Sequence, residues 1–290
     1  MRAVSVAFPG TCGEFFQGLV DGVRCLVSCP IDRFSRLELI SVPGAGLYVP
    51  VPMSKTRRAL ETSLSGGSFA TGLAVSRVES LPEGKGYASS TADILAALHG
   101  AARLSGTELS PEEATKAALA VEPTDSIAWP GLALLDHREG RVMEFLGPPP
   151  PMAVLVVDEG GEVDTEEFNR RDADTLLAAL AGLHRESLSL LREGLERGKP
   201  EAVGEAASLS AAACCAIHPR PLLERCRSLS LSLGGYGVCT AHSGTLYGVL
   251  LPASSMLDAH SVLEAAWEAL PEAVELSLHS VVPGGPRYPE

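Results

Sequence analysis

Residues 81–93, which read LPEGKGYASSTAD, combine the residue types that bind a phosphate group. Gly84 and Gly86 allow positive φ and a close approach of the backbone, and the segment leads into a predicted helix. The first amides of a helix point outward at the positive end of its dipole, which makes an anion site. Ser90 and Asp93 also have capping-box spacing, so a capped helix after a tight turn explains the same pattern without any ligand.

Two common nucleotide motifs are excluded for this segment. A Walker A loop needs Gly at position 79, where Glu79 stands, and Ser or Thr after Lys85, where Gly86 stands. No glycine run completes the G-x-G-x-x-G/A dinucleotide fingerprint either. These departures argue against P-loop enzymes and Rossmann dehydrogenases.

A second candidate is the pair of carboxylates in Glu122-Pro-Thr-Asp125. Two carboxylates three residues apart across a turn can converge on one cation. Alternatively, one carboxylate can bind a metal ion while the other accepts a proton. A solvated helix end followed by an Asp turn is the alternative interpretation.

Two further segments place polar groups among small residues. Residues 241–245, Ala-His-Ser-Gly-Thr, lie between predicted strands and could admit phosphates or form an ordinary hairpin turn. Residues 9–18 follow the first predicted strand, and there Glu14 and Gln17 could bind a substrate or cap a turn.

The elements that must position these groups give an α+β pattern, with strands first and helices on one face. In the first half we predict strands at 2–8, 24–29 and 35–41, helices at 54–63, 67–78, 90–104 and 111–121, and a hairpin over 131–144 that turns at 137–140. In the second half we predict strands at 152–158, 238–241, 245–251 and 273–281, and helices at 172–197, 200–216, 220–231 and 254–270.

A domain boundary is predicted at residues 147–151, Gly-Pro-Pro-Pro-Pro. Proline cannot donate a backbone hydrogen bond, so this run cannot lie inside a helix or a central strand. The predicted domains are residues 1–147 and 152–290.

Composition limits the class of protein. The 290 residues are 46% hydrophobic and carry a net charge of −13, which excludes a disordered chain and argues against a nucleic-acid or anionic-membrane surface. No apolar run approaches the roughly 18 residues that cross a bilayer, and the first residues lack a signal-peptide pattern, so we expect a cytoplasmic protein. The seven Cys show no zinc spacing and are expected to be reduced thiols.

Taken in order, these segments resemble the GHMP kinases. The motif P-x-x-x-G-L-x-S-S-x-A of that superfamily is matched by Pro82, Gly86, Ser89, Ser90 and Ala92, with Tyr87 in place of Leu. The wider set is similar to the L-threonine kinases of cobalamin biosynthesis; its segments are 9–14 with 17–18, 26–32, 84–93, 122–125 and 241–245. Thr11 and Phe15 stand where sugar and mevalonate kinases usually carry Lys and His, which argues against those substrates.

The resemblance implies a two-domain fold, with an N-terminal ribosomal-protein-S5-like domain and a C-terminal ferredoxin-like α/β domain. It implies ATP- and Mg²⁺-dependent phosphorylation of L-threonine to O-phospho-L-threonine for the aminopropanol arm of cobalamin. A kinase for L-serine or L-homoserine and a non-catalytic nucleotide-binding sensor remain alternatives. The expected partners are small molecules, and neither a nucleic acid nor a membrane is expected to bind. The protein is expected to form a homodimer.

The resemblance also assigns roles to residues. Ser90 and Glu122 are expected to bind Mg²⁺, which leaves Ser89 as the helix cap, and Asp125 is expected to accept the substrate proton. Glu14 is assigned to the substrate ammonium and Arg33 or His242 to its carboxylate. The expected nucleotide-binding residues are Pro82, Gly84, Lys85, Gly86, Tyr87, Ala88, Ser89, Ser90 and Thr91, and Gln17, Ser243 and Gly244 complete the substrate set.

Overall fold

The fold is organised by one long antiparallel hairpin. The computed structural model describes residues 2–64, 72–161 and 174–289. Strands β1 (Ala3–Val20) and β2 (Val23–Val42) pair along most of their length. They are joined at Asp21 and Gly22, which both have positive φ, as a tight hairpin turn requires.

The other strands within the described residues are β3 Leu47–Tyr48, β4 Gly72–Glu79, β5 Leu132–Asp136, β6 Met143–Gly147, β7 Met152–Asp158, β8 Gly237–Thr240, β9 Leu246–Pro252 and β10 Glu275–Ser280. Six of them extend the hairpin into one sheet with the order β10-β7-β9-β8-β1-β2-β4-β3. The antiparallel pair β5 and β6 joins this sheet through β2. Glu14 of β1 pairs with Thr240 of β8 in the middle of this order, which connects β7, β8, β9 and β10 to the strands of the first half. The sheet thus contains strands from both sides of residues 147–151, and the division into two domains stays a prediction.

The helices cover the sheet in two groups. The helices of the first half are α1 Ser54–Leu64, α2 Ser89–Leu104 and α3 Pro111–Leu119. Those of the second half are α4 Asp174–Ala179, α5 Ala181–Glu196, α6 Pro200–Ile217, α7 Leu223–Ser232 and α8 Ala259–Ala269. Within the described ranges, no helix is both long and apolar enough to span a membrane.

The core lies on both faces of the sheet. Alternate residues of β7 point to opposite faces, so Val154 and Val156 join the larger cluster, which contains Ile94 of α2. Leu155 and Val157 join a second cluster under α7 and α8. Helix α2 packs against this core: every residue from Thr91 to Ala102 is buried, which fixes the position of its N-terminus.

Most of the predicted elements are confirmed, including the hairpin over 131–144, but the helix predicted at 67–78 is wrong. Residues 72–79 form strand β4, which pairs with β2, whereas 67–71 lie outside the described residues. The physical reason is a period of two, in which Leu73 and Val75 are buried and Ser76 and Val78 are exposed.

Five other boundaries differ. The strand predicted at 2–8 continues to Val20, so residues 9–18 lie within β1 rather than after it, because they pair with β2. The strands predicted at 24–29 and 35–41 are one strand, β2, because a register shift at Pro9 and Gly10 lets its pairing with β1 continue. The helix predicted at 172–197 is divided at Leu180, and its first two residues lie outside the described ranges. The helix predicted at 220–231 begins at Leu223, and the one predicted at 254–270 begins with a 3₁₀ turn.

Candidate active site

The four predicted segments meet around a cavity of about 510 Å³. The N-terminus of α2, the turn at 122–125 and the β8–β9 loop form its walls. The lining side chains that could bind a ligand or take part in catalysis are Glu14, Lys55, Ser90, Thr91, Glu122, Asp125 and His242.

Helix α2 begins without a side-chain cap. Its N-cap is Ala88, a non-glycine residue in the left-handed region at φ 58°. The expected cap at Ser89 and the capping box of Ser90 and Asp93 are therefore wrong. The reason is that both polar groups bind elsewhere: Ser90 Oγ donates to Glu122, and Asp93 accepts from Ser35 Oγ at 2.5 Å. No side chain within the described part thus caps the first turn, as an anion site at a helix N-terminus requires.

The loop before α2 lies directly against the β8–β9 loop. Gly86 has φ +103°, and a Cβ there would lie 2.6 Å from the Cβ of Ala241. A Cβ on Gly244 would lie 2.2 Å from the carbonyl oxygen of Lys85. Thr245 N donates to that same carbonyl at 2.8 Å, so glycine at both positions permits the contact.

Lys85 is bound to a buried carboxylate. Its Nζ lies 3.1 Å from Oδ2 of Asp158, whose other oxygen accepts from Thr245 Oγ1 at 2.6 Å and from Gly160 N at 2.8 Å. Lys85 does not line the cavity, so in this structure its side chain fixes the loop to β7, and its nucleotide contact stays a prediction.

Thr11 and Tyr87 hold the same loop from β1. Thr11 Oγ1 donates to the carbonyl of Gly86 at 3.0 Å, and Thr11 N donates to the carbonyl of Tyr87 at 3.1 Å. The Tyr87 ring is buried, and its hydroxyl accepts from Arg33 at 3.0 Å. Neither Pro82 nor Tyr87 lines the cavity, so they support the loop from behind.

The two carboxylates of the 122–125 turn have separate partners. Glu122 accepts from Ser90 Oγ on one oxygen and from Lys55 Nζ, at 2.5 Å, on the other. Asp125 accepts from Thr91 Oγ1 at 3.0 Å, and its backbone N donates back to the same hydroxyl oxygen at 3.2 Å. The structure therefore favours divided roles over two carboxylates on one cation.

Burial raises the pKa of Asp125 to about 6, and the nearby charge of Glu122 adds to this, while the hydrogen bond from Thr91 lowers it. An Asp with this pKa is mostly ionised at neutral pH yet holds a proton more readily than an ordinary Asp. That is the property of a general base that works near neutrality.

Glu14 is a buried carboxylate directed at the same cavity. Its Oε2 has no hydrogen-bond partner among the described residues. Burial, and next the charge of Asp125, raise its pKa well above the usual range. A buried oxygen of this kind is costly without a partner, and a bound cationic group would satisfy it.

Gln17 and His242 form a hydrogen-bonded pair beside Glu14. Gln17 Oε1 lies 3.2 Å from His242 Nδ1, and Gln17 Nε2 donates to the Thr240 carbonyl at 3.4 Å. Gln17 lines a smaller adjoining cavity rather than the main one. Burial, and next the neighbouring His137, hold the pKa of His242 well below its usual value, so the ring is neutral at pH 7.

Arg33 lies outside the cavity, against the buried ring of Tyr87. Its guanidinium lies 4.7 Å from the centre of the Tyr87 ring and donates to Glu275 Oε1 at 3.0 Å. It does not line the cavity. Of the two residues suggested for the substrate carboxylate, only His242 is in place.

Lys55 and His137 are among the lining residues that the sequence did not predict. Lys55 lies in the first turn of α1, and His137 packs its ring 4.8 Å from that of His242. Each is a single residue in an ordinary segment, and only the tertiary fold brings it to the cavity. No local pattern marks either one.

The donors at Ser90 and Glu122 fit a magnesium ion shared with a nucleotide. Mg²⁺ prefers oxygen ligands and usually binds through one or two carboxylates together with substrate phosphates and water. A hydroxyl and a carboxylate in contact provide such a donor pair. Within the described residues no group of three or more His, Cys, Asp or Glu could hold a metal, so a cage made of protein alone does not match this site.

Comparison with known proteins defines the class. Residues 54–128 match the family described as GHMP kinases N terminal domain. The crystal structure of homoserine kinase from Cytophaga hutchinsonii superposes with a TM-score of 0.74 at 15% identity, covering 100% of this chain and 98% of that one. Lactococcus lactis galactokinase complexed with galactose gives a TM-score of 0.72 at 12% identity and covers 99% and 95%. At these identities the two structures show a shared fold.

Curated relatives carry the comparison further. One from Salmonella typhimurium is 31% identical over 243 residues, which are 84% of this chain and 81% of the relative. One from Citrobacter freundii is 31% identical over 245 residues, which are 84% of each. The chain therefore belongs to the GHMP kinase family. Both of these relatives are named L-threonine kinase.

Proposed function

We propose that this protein is an ATP-dependent L-threonine kinase that produces O-phospho-L-threonine and ADP. The relatives named L-threonine kinase support the acceptor. The observation that carries the chemistry is Asp125, a carboxylate with a pKa of about 6 that Thr91 holds in the cavity next to the N-terminus of α2.

In the proposed reaction, the side-chain oxygen of threonine attacks the terminal phosphorus of ATP. The bond from that phosphorus to the bridging oxygen breaks, and ADP leaves with the electron pair. Asp125 accepts the hydroxyl proton. Phosphoryl transfer depends mainly on positioning and charge neutralisation, which the rest of the cavity must supply.

The phosphates are proposed to lie between the two contacting loops. Backbone amides of residues 84–90 provide hydrogen-bond donors, and Gly244 closes the opposite side. Ser90 and Glu122 would hold Mg²⁺, which, when bound, offsets the negative charge of the phosphates.

The amino-acid part of the substrate is proposed to contact the buried wall. Glu14 would accept from the substrate ammonium, which gives its unpartnered Oε2 a charged donor. Ser243 would donate to the carboxylate. The neutral His242 ring donates its one N–H, at Nδ1, to Gln17 Oε1, so His242 would donate to the carboxylate from Nε2 as an imidazolium, a form that the substrate's negative charge favours.

The motif resemblance supports a role in the aminopropanol arm of cobalamin synthesis. We also propose that the enzyme is cytoplasmic and homodimeric.

The proposed function is tested by ADP release in a coupled assay with L-threonine, L-serine and L-homoserine as acceptors. We expect the highest kcat/KM with L-threonine, and background ADP release without an acceptor. A preference for L-homoserine or L-serine would reassign the acceptor. ATP binding without turnover on any acceptor would indicate a sensor.

A further inference from the structure

Lys55 is the cationic side chain of the cavity whose role the proposed reaction leaves open. Among the described residues that line the cavity, the Lys and Arg side chains are Lys55 and Arg77. Arg77 is bound by Asp93 and, at 3.1 Å, by Glu83. Its charge is therefore already offset by two carboxylates.

The ammonium of Lys55 lies 2.5 Å from Oε2 of Glu122, while Ser90 occupies the other oxygen. The Glu122 side chain is only 7% exposed, whereas that of Lys55 is 43% exposed. A buried carboxylate without a partner is strongly unfavourable, so Lys55 supplies the compensating charge when no metal ion is present.

This arrangement conflicts with a divalent cation bound at Glu122 and Ser90. The positive ammonium and the ion would compete for one carboxylate and repel each other. Lys55 can leave, because its half-exposed stem is flexible and has several rotatable bonds. The strongest new negative charge in the same cavity would be the nucleotide phosphates.

We infer that Lys55 exchanges partners when the cavity is loaded: it binds Glu122 in the empty protein and the terminal phosphate of ATP in the complex. This inference rests on the proposed use of ATP, but not on the identity of the acceptor. Lys55 thereby adds a positive charge next to the group that is transferred, where negative charge must be offset.

The test measures binding by titration calorimetry, using ATP and ADP with Mg²⁺ and no acceptor. We expect Lys55→Met to weaken ATP binding by about 10- to 100-fold, the range expected for loss of one charge-assisted hydrogen bond. ADP lacks the terminal phosphate and should lose about threefold or less. Lys55→Arg should restore most of the preference for ATP. Lys116→Met, at an exposed lysine on α3, is the matched control and should leave both affinities unchanged.

A second readout follows the competition for Glu122. Titration of the nucleotide-free protein with Mg²⁺ should show tighter binding in Lys55→Met than in the parent, because the competing ammonium is gone. If Lys55 only neutralised Glu122, the ratio of ATP to ADP affinity would be the same in Lys55→Met and the parent, which would overturn the inference.

Lys55→Met leaves Glu122 without its cation and could impair folding. The double variant Lys55→Met with Glu122→Gln removes both charges and is compared with Glu122→Gln alone. A further loss of ATP affinity of about tenfold or more supports the inference, and equal affinities contradict it.

A parent that binds ATP through Lys55 but does not phosphorylate threonine supports the inference and refutes the proposed acceptor. A parent that does not bind ATP overturns both.

Discussion

Asp125→Asn most sharply tests the proposal that Asp125 accepts the substrate proton while Glu122 binds the metal ion. The substitution keeps the shape of the side chain and its contact with Thr91 but removes the proton acceptor. A positioned general base contributes about 10²- to 10⁴-fold, so kcat should fall by that factor. ATP affinity should change by about twofold or less, because the loss falls on the transition state.

The pH dependence of kcat/KM for threonine gives a second, independent test of Asp125 as the base. With a pKa of about 6, Asp125 is mostly ionised at pH 7 and mostly protonated at pH 5. Because only the ionised form can accept a proton, kcat/KM for threonine should fall about tenfold from pH 7 to pH 5. The hydrogen bond from Thr91 lowers this pKa, so Thr91→Val should move the acid limb to higher pH.

The assay is steady-state ADP release at about half-unit pH steps, with ATP saturating and threonine varied. The structural control is the melting temperature of each variant at each pH. An Asp125→Asn enzyme that retains more than about half of the parental kcat would refute the assignment. The same acid limb in Asp125→Asn and the parent would also refute it, since the limb would then belong to another group such as Glu14.

Three further predictions concern separate parts of the molecule. Glu14→Gln should raise the KM for threonine by about tenfold or more with ATP affinity unchanged, because a neutral amide binds an ammonium less strongly; equal KM values would remove Glu14 from the substrate site. Gly86→Val should abolish ATP binding in calorimetry and lower the melting temperature, because the side chain would collide with Ala241 at a positive φ. Ser110→Ala removes the capping box on Glu113 and should lower the free energy of unfolding by about 1 kcal/mol while leaving kcat/KM unchanged; an equal loss of activity would show that α3 is coupled to the site.

Local patterns predict the secondary structure where apolar residues form regular runs or where turn residues separate such runs. The hairpin over 131–144 follows from turn residues between apolar runs, and α2 from an Ala- and Leu-rich stretch after a glycine loop. Strand β4 could not be identified because only three of its eight residues, Gly72, Leu73 and Val75, are buried. Its remaining length is fixed by pairing with β2, a tertiary contact.

In the candidate site, too, local motifs could be recognised from the sequence, whereas contacts between distant positions could not. Ser90, Glu122 and Asp125 could be singled out because each lies in a compact run of chemically unusual residues. The capping box of Ser90 and Asp93 could not be excluded from sequence, because a hydrogen bond between Ser90 and Glu122, 32 positions apart, decides it. Lys55 contacts the same carboxylate from 67 positions away, and nothing in its own segment predicts that contact.

Identification of the product tests the phosphorylation of L-threonine most directly. The purified protein is incubated with ATP, Mg²⁺ and L-threonine, and the mixture is followed by ³¹P nuclear magnetic resonance against authentic O-phospho-L-threonine. We expect a phosphomonoester signal that coincides with the standard and grows in proportion to ADP. ADP accompanied only by inorganic phosphate, or a phosphomonoester formed from L-serine or L-homoserine but not from L-threonine, would contradict it.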